Sequence, residues 1–207
     1  MSRLHPCAFP RFSRQVNEAG DPYVYPGTTT LRNRLGLTDP ADLARIERLY
    51  VTDRATRAMP RGAFDLSHLR AIHRHLFQDV YDWAGELRTV EIGKGDQQFQ
   101  FRKYILTGMA DVHGRLVKSR FLKGLSSAQF AEQASVIVGD INYIHPFREG
   151  NGRTQLQYLK QLAVSAGHSL NLVHIPASRW IEASISSHSA DYRPMAAAIA
   201  AALKPAQ

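Results

Sequence analysis

The sequence predicts a mostly α-helical fold carrying one small β-hairpin. Three observations predict it. Most of the chain spaces its apolar residues by three and four behind Ser, Thr or Asp caps. One stretch alone, residues 89–101, alternates apolar and polar residues around a Gly-containing turn. No internal repeat, low-complexity tract or compositional boundary divides the chain.

In chain order, residues 1–28 read as an irregular arm. Pro6, Pro10, Pro22 and Pro26 fall there with Gly20 and Gly27, and turns are expected at Asp21-Pro22 and Pro26-Gly27. One domain is expected over 29–207. It opens with a short capped helix over Thr28–Gly36. Thr38 or Asp39 then caps a longer helix with Pro40 in its first turn, and Leu43, Ile46, Leu49 and Tyr50 are placed on its apolar face. Met59 to Gly62 breaks it. Asp65 caps the next helix, whose stripe is Leu66, Leu69, Ile72, Leu76 and Phe77, and Trp83-Ala84-Gly85 ends it. His68, His73 and His75 on this helix lack metal-pair spacing and are read as solvated or capping. In the hairpin, Val90 and Ile92 alternate with Thr89 and Glu91. Gly93 to Asp96 turn the chain, and Phe99 and Phe101 alternate with Gln98 and Gln100. Helices resume at 102–119, behind Ser126 and Ser127, from Asn151 to near Gly167, and over 178–187 and 191–203.

The chain has 207 residues, of which 44% are hydrophobic, enough for a packed core without staples. One cysteine, Cys7, excludes an internal disulfide framework and a cysteine-built metal site. No apolar run approaches the roughly 20 residues that span a bilayer, and the N-terminus lacks a signal-peptide core. A cytoplasmic protein with no membrane partner is expected. The net charge of +8 points to an anionic partner: nucleic acid, nucleotide or acidic protein. A generally basic surface explains it equally well, and composition does not separate these readings.

The chemistry concentrates in HPFREGNGR, residues 145–153, between two helical patterns. Gly150, Asn151 and Gly152 stand where a helix begins, and free N–H groups at a helix start attract an anion. Arg153 adds a fixed charge matched to phosphate. Glu149 is a hard oxygen ligand suited to Mg²⁺ beside phosphates. His145 titrates near neutral pH in its unperturbed state and can take a proton from a hydroxyl. Together these are the parts for phosphoryl or nucleotidyl transfer. Each also has a structural reading: a capping His, a tight turn, a first-turn Glu and a surface Arg. Neither the GxxxxGK(S/T) spacing of a phosphate loop nor an HExxH zinc site is present.

HPFREGNGR resembles the active-site motif of Fic-domain proteins, HPFx(D/E)GNGRxxR. The segment from Phe64 to Phe99 resembles their helix, Trp-Ala-Gly turn and β-hairpin flap, and DPYVYPGTTTLRNRLG resembles the opening of the short bacterial FicT toxins. The resemblance covers most of residues 21–190. It implies a Fic fold and a protein adenylyltransferase that uses Mg²⁺ and moves AMP from ATP to a target hydroxyl. It assigns His145 as the base, Phe147 as a buried anchor and Glu149 as the Mg²⁺ ligand. Gly150, Asn151, Gly152 and Arg153 become the nucleotide-binding residues. Residues 89–101 become the flap, which docks an extended target segment through Thr89, Val90, Glu91, Ile92, Gln98 and Phe99. In FicT relatives the targets are DNA gyrase and topoisomerase IV subunits, and a separate small antitoxin inhibits. The anion implied is then a nucleotide, with no direct nucleic-acid contact.

One position departs from the motif: Leu156 stands where the second Arg belongs. Losing a preorganised phosphate contact costs about 2–4 kcal/mol of transition-state stabilisation. The alternative reading is therefore an attenuated Fic protein acting mainly as a nucleotide- or partner-binding module. The built-in inhibitory pattern (S/T)xxxE(G/N) has only a partial match at Ser178–Glu182, where Ala183 follows, and is read as an ordinary helix.

Overall fold

The computed structural model describes residues 21–95 and 97–203. Residues 1–20 of the expected 1–28 arm, with Cys7, and Asp96 of the hairpin turn lie outside the described residues. Within them the chain forms seven α-helices and one two-stranded antiparallel sheet.

Helix α1 spans Pro40–Thr56. Asp39 caps it by accepting from the Ala41 and Asp42 amides, and Pro40 fills a first-turn position whose missing N–H costs nothing. Its inward face is Leu43, Glu47 and Val51, while Leu49 and Tyr50 are exposed. This corrects the expected stripe: the buried positions repeat every fourth residue and include a carboxylate, which apolar periodicity skips. Helix α2, Leu66–Phe77, begins where the Asp65 carboxylate accepts from the His68 amide.

The expected helix over 28–36 does not form. Val24 instead bridges Leu31, and the Tyr25 amide donates to the Thr30 carbonyl. The Asn33 side chain accepts from the Leu35 and Leu37 amides and donates to the Leu31 and Leu37 carbonyls. Asn33 thus offers the backbone a turn in place of helical bonds.

Strands β1, Gly93–Lys94, and β2, Gln97–Gln98, pair with Gly93 opposite Gln98 and Lys94 opposite Gln97. The ladder is shorter than the alternation suggested, because backbone groups of its two arms are bonded elsewhere. The Gln100 amide donates to the Tyr143 carbonyl, and the Val90 carbonyl accepts from Arg88.

Helix α3 is Ile105–Lys118, and α4 is Ser127–Ile144. Ser126 and Gln129 close a reciprocal capping box at the start of α4. Helix α5 is Asn151–Ser165, α6 is Ala177–Ser187 and α7 is Arg193–Ala202. Helix α4 packs against α3, α5, α6 and α7, so it is buried on nearly every side, through Phe130, Ala134, Val138, Ile141 and others. Each large apolar side chain removed from water there contributes about 1.5–3 kcal/mol. The position of α4 fixes the site, because the active-site loop leaves its C-terminal end.

Candidate active site

Two helix termini frame residues 145–150. His145 caps α4 in the left-handed region, at φ +47, and Gly150 caps α5 at φ +82. A Cβ on Gly150 would overlap the Phe77 ring, so this turn admits only glycine. The space beside Gly152 is open, with nothing within 4 Å of a built Cβ. The first amides of α5, on Asn151, Gly152 and Arg153, have no carbonyl one turn back within the helix. The first α5 bond runs from Thr154 N to Gly150 O, at 3.1 Å.

Asn151 holds the loop. Its Oδ1 accepts from the Phe147 amide at 3.0 Å, and its Nδ2 donates to the Phe147 carbonyl at 2.7 Å. These two bonds tie the side chain to the loop, and its backbone N–H and second Nδ2 hydrogen remain as donors. Phe147 is fully buried and stacks on His73, ring centroids 3.9 Å apart.

His73 and His68 are buried, which corrects the solvated half of the solvated-or-capping expectation. His73 donates from Nε2 to the Glu149 carbonyl at 3.0 Å and accepts at Nδ1 from the Gly85 amide at 2.8 Å. It joins the Trp83-Ala84-Gly85 turn to the active-site loop. Burial holds it neutral, its pKa lowered to about 3.

His145 donates from Nδ1 to the Asn142 carbonyl at 3.0 Å. A carbonyl only accepts, so this bond puts the proton on Nδ1 and leaves the Nε2 lone pair to receive one. The Phe99 ring lies on the imidazole. Desolvation lowers the His145 pKa to about 3; the bond to Asn142 opposes this, and Arg88, His188 and Lys94 reinforce it.

Glu149 Oε1 accepts from the Gly150 amide at 2.9 Å and from Arg153 Nη2 at 3.4 Å. Arg153 Nη1 donates to Glu47 Oε1 at 2.8 Å, and the guanidinium lies over the Phe77 ring. The second oxygen of Glu47 accepts from the Tyr81 hydroxyl. Glu47 is buried on α1, about a hundred residues from the loop, and sequence reasoning missed it. The only signal was its fourfold spacing with Leu43 and Val51.

The flap residues divide by role. Val90, Ile92 and Phe99 are buried against the domain. The Thr89 amide donates to the Tyr23 hydroxyl, Glu91 accepts from Arg88 and from the Arg102 amide, and Gln98 donates to the Ile92 carbonyl. These bonds fasten the flap to the domain. Leu156 is buried in the apolar core on α5. Its neighbour Gln155 is buried too, with neither amide atom partnered among the described residues.

No cluster of three or more His, Cys, Asp or Glu that could cage a metal occurs among the described residues. The donor set that is present, one carboxylate beside helix-start amides, suits Mg²⁺ shared with nucleotide phosphates, since that ion keeps waters and few protein ligands.

The model of the Fic/DOC family matches residues 63–163. The chain is 43% identical over 186 residues to "Probable protein adenylyltransferase y4lH" of Sinorhizobium fredii, covering 89% of this chain and 97% of that protein. It is 36% identical over 199 residues to "Probable protein adenylyltransferase Fic" of Salmonella typhimurium, covering 94% and 98%. With "Protein adenylyltransferase VbhT" of Bartonella schoenbuchensis it shares 35% over 189 residues, 90% of this chain and 40% of that longer protein. Among solved structures, BepC of Bartonella tribocorum with bound AMPPNP superposes with a TM-score of 0.81 at 28% identity, covering 90% and 98%. An ADP-bound Fic domain from Bartonella quintana gives 0.82 at 27%, covering 90% and 96%. On the loop, the fold around it and these relatives, the chain belongs to the Fic/DOC family.

Proposed function

We propose that this chain is a protein adenylyltransferase that moves AMP from ATP to a hydroxyl of a target protein. The observation that carries the reading is the tautomer of His145. Its Nδ1 proton is committed to Asn142, so Nε2 is the acceptor, and the loop that follows leads directly into the open amides of α5. The target oxygen attacks the α-phosphorus, and its proton passes to Nε2 of His145. The bond from the α-phosphorus to the bridging oxygen breaks, and pyrophosphate leaves.

The amides of Asn151, Gly152 and Arg153 would receive the developing phosphate charge. Arg153 has five N–H donors. Glu47 and Glu149 each accept from one of its terminal nitrogens, and its other donors would serve the polyphosphate. Glu149 would hold Mg²⁺, which when bound neutralises charge on the phosphates. The relatives named as protein adenylyltransferases, and the AMPPNP and ADP in the neighbouring structures, support ATP as substrate.

The finer reading is a cytoplasmic, toxin-like enzyme acting on gyrase or topoisomerase IV subunits under a separate small antitoxin. It rests on resemblance to the FicT toxins. Incubation with α-labelled ATP, Mg²⁺ and purified gyrase tests it: label on gyrase, lost in His145→Ala, is expected.

A second reading, an attenuated module that binds nucleotide without efficient transfer, is favoured by one observation. The second motif Arg is replaced by Leu156, which sits in the apolar core. ATP binding with no transfer to any target would select it.

A further inference from the structure

The two arms of the flap are joined to the catalytic loop by one side chain. Arg88 is 3% exposed, and its guanidinium is enclosed where the arms of the hairpin leave the domain. Its Nη1 donates to the Val90 carbonyl at 2.8 Å and to Glu91 at 3.2 Å, both on the first arm. Its Nη2 donates to the Gln100 carbonyl on the second arm. Its Nε donates to the carbonyl of His145 at 2.8 Å, and its own amide donates to the Pro146 carbonyl at 2.9 Å.

We propose that Arg88 is a positioning residue that sets the flap in register with His145. The inference rests on the proposed adenylyltransferase reading, in which the flap presents the target and His145 receives its proton. Three features carry it. The guanidinium takes the Val90 and Gln100 carbonyls where a longer ladder would have run, so it replaces strand pairing between the arms. Its planar fork bonds three backbone carbonyls at once from one rigid plane. The carbonyl it takes from the catalytic loop belongs to His145 itself, a non-glycine residue at φ +47, a conformation that persists only where its surroundings enforce it. A flap displaced by a target therefore pulls on the residue that must meet the target hydroxyl. Arg88 touches neither substrate nor nucleotide in this account; it acts through the geometry of others.

The test uses the full chain with Arg88→Gln and Arg88→Lys. Lysine keeps a buried cationic donor without the fork, and it carries the test if the Gln variant does not fold. Three quantities are read: AMPPNP affinity with Mg²⁺, label from α-³²P ATP transferred into bacterial lysate protein, and amide hydrogen exchange over peptides 97–104 and 141–150. A misplacement of about 1 Å costs about 100-fold in rate, so label transfer should fall about 100-fold while the AMPPNP dissociation constant changes less than about threefold. Lysine should restore less than about a tenth of the lost rate on the same argument. Exchange should quicken in both peptides together. Transfer at the wild-type rate in a folded variant, or faster exchange confined to the flap peptide, overturns the proposal. If the wild-type chain shows no His145-dependent label, the adenylyltransferase reading fails instead, and the exchange experiment still decides whether Arg88 couples flap and loop.

Discussion

The ring of Phe99 lies face to face on the imidazole of His145, centroids 3.7 Å apart and planes 21° from parallel. The flap thus touches the proposed base directly, through its apolar side. Stacking covers a face of the imidazole and leaves the ring edge, where Nε2 sits, for a target hydroxyl. It also strips water from the ring, and desolvation is the largest cause of the low pKa, about 3, of His145.

This fixes a pH dependence. A histidine whose folded pKa is lowered from 6.5 to about 3 is neutral, and able to accept a proton, at every pH above about 3. The kcat/KM of AMP transfer, which reports the free enzyme, is therefore expected to show no acid limb near 6.5. In Phe99→Ala, which re-exposes the ring, that limb is expected to appear and move toward 6.5. The linkage to stability has a definite sign. The folded state binds fewer protons than the unfolded chain between 6.5 and about 3. The contribution is present above 6.5 and is lost as pH falls through that window, at up to about 1.4 kcal/mol per unit. Urea unfolding across pH checks it.

The Glu47–Arg153 ion pair makes a second prediction. Removing one partner of a buried pair strands the other charge. Glu47→Ala is expected to cost about 3 kcal/mol of stability on that ground, and to lower AMP transfer because Arg153 loses its anchor. The double variant Glu47→Ala, Arg153→Ala is expected to be more stable than the sum of the singles by about 1–2 kcal/mol. A urea-unfolding cycle that is strictly additive contradicts the pairing.

The two loop glycines are expected to behave oppositely. Gly150→Ala places a methyl against the Phe77 ring at a backbone angle that L-residues avoid, and is expected to cost about 2 kcal/mol or more. Gly152→Ala meets open space inside a helix, and is expected to be neutral or to stabilise by up to about 1 kcal/mol. Thermal unfolding of the two variants side by side reads the contrast.

Much of the site was legible in the sequence, and the failures share a cause. The caps Asp39, Asp65 and Ser126 were readable because capping is local, and HPFREGNGR because its parts are contiguous. His73, Glu47 and Arg88 were not. His73 takes partners at Gly85 and Glu149, Glu47 at Arg153, and Arg88 at His145, all remote in sequence. Apolar periodicity assigns a polar residue to solvent by default, and only the fold supplies the partners that make burial affordable. Residues 28–36 failed for a local reason: Asn33 competes for backbone bonds that a propensity reading awarded to a helix.

Leu156 yields a further prediction. Leu156→Arg restores the motif, and a recovered phosphate contact of about 2 kcal/mol corresponds to roughly thirtyfold in rate. AMP transfer is expected to rise about tenfold or more, net of any strain from placing a long polar side chain where a buried Leu stood. An unchanged rate in a folded variant would show that the second Arg is dispensable here.

The central claim, that His145 accepts the target proton while AMP is transferred, is tested most directly by parallel incubations with α-labelled and γ-labelled ATP. Wild-type chain and His145→Ala are compared with Mg²⁺ and bacterial lysate, and modified proteins are identified by mass spectrometry. The expected result is protein carrying the α label and the mass of one adenylyl group, absent with His145→Ala and never carrying the γ label. Incorporation of the γ label, or α label undiminished in His145→Ala, would contradict the account.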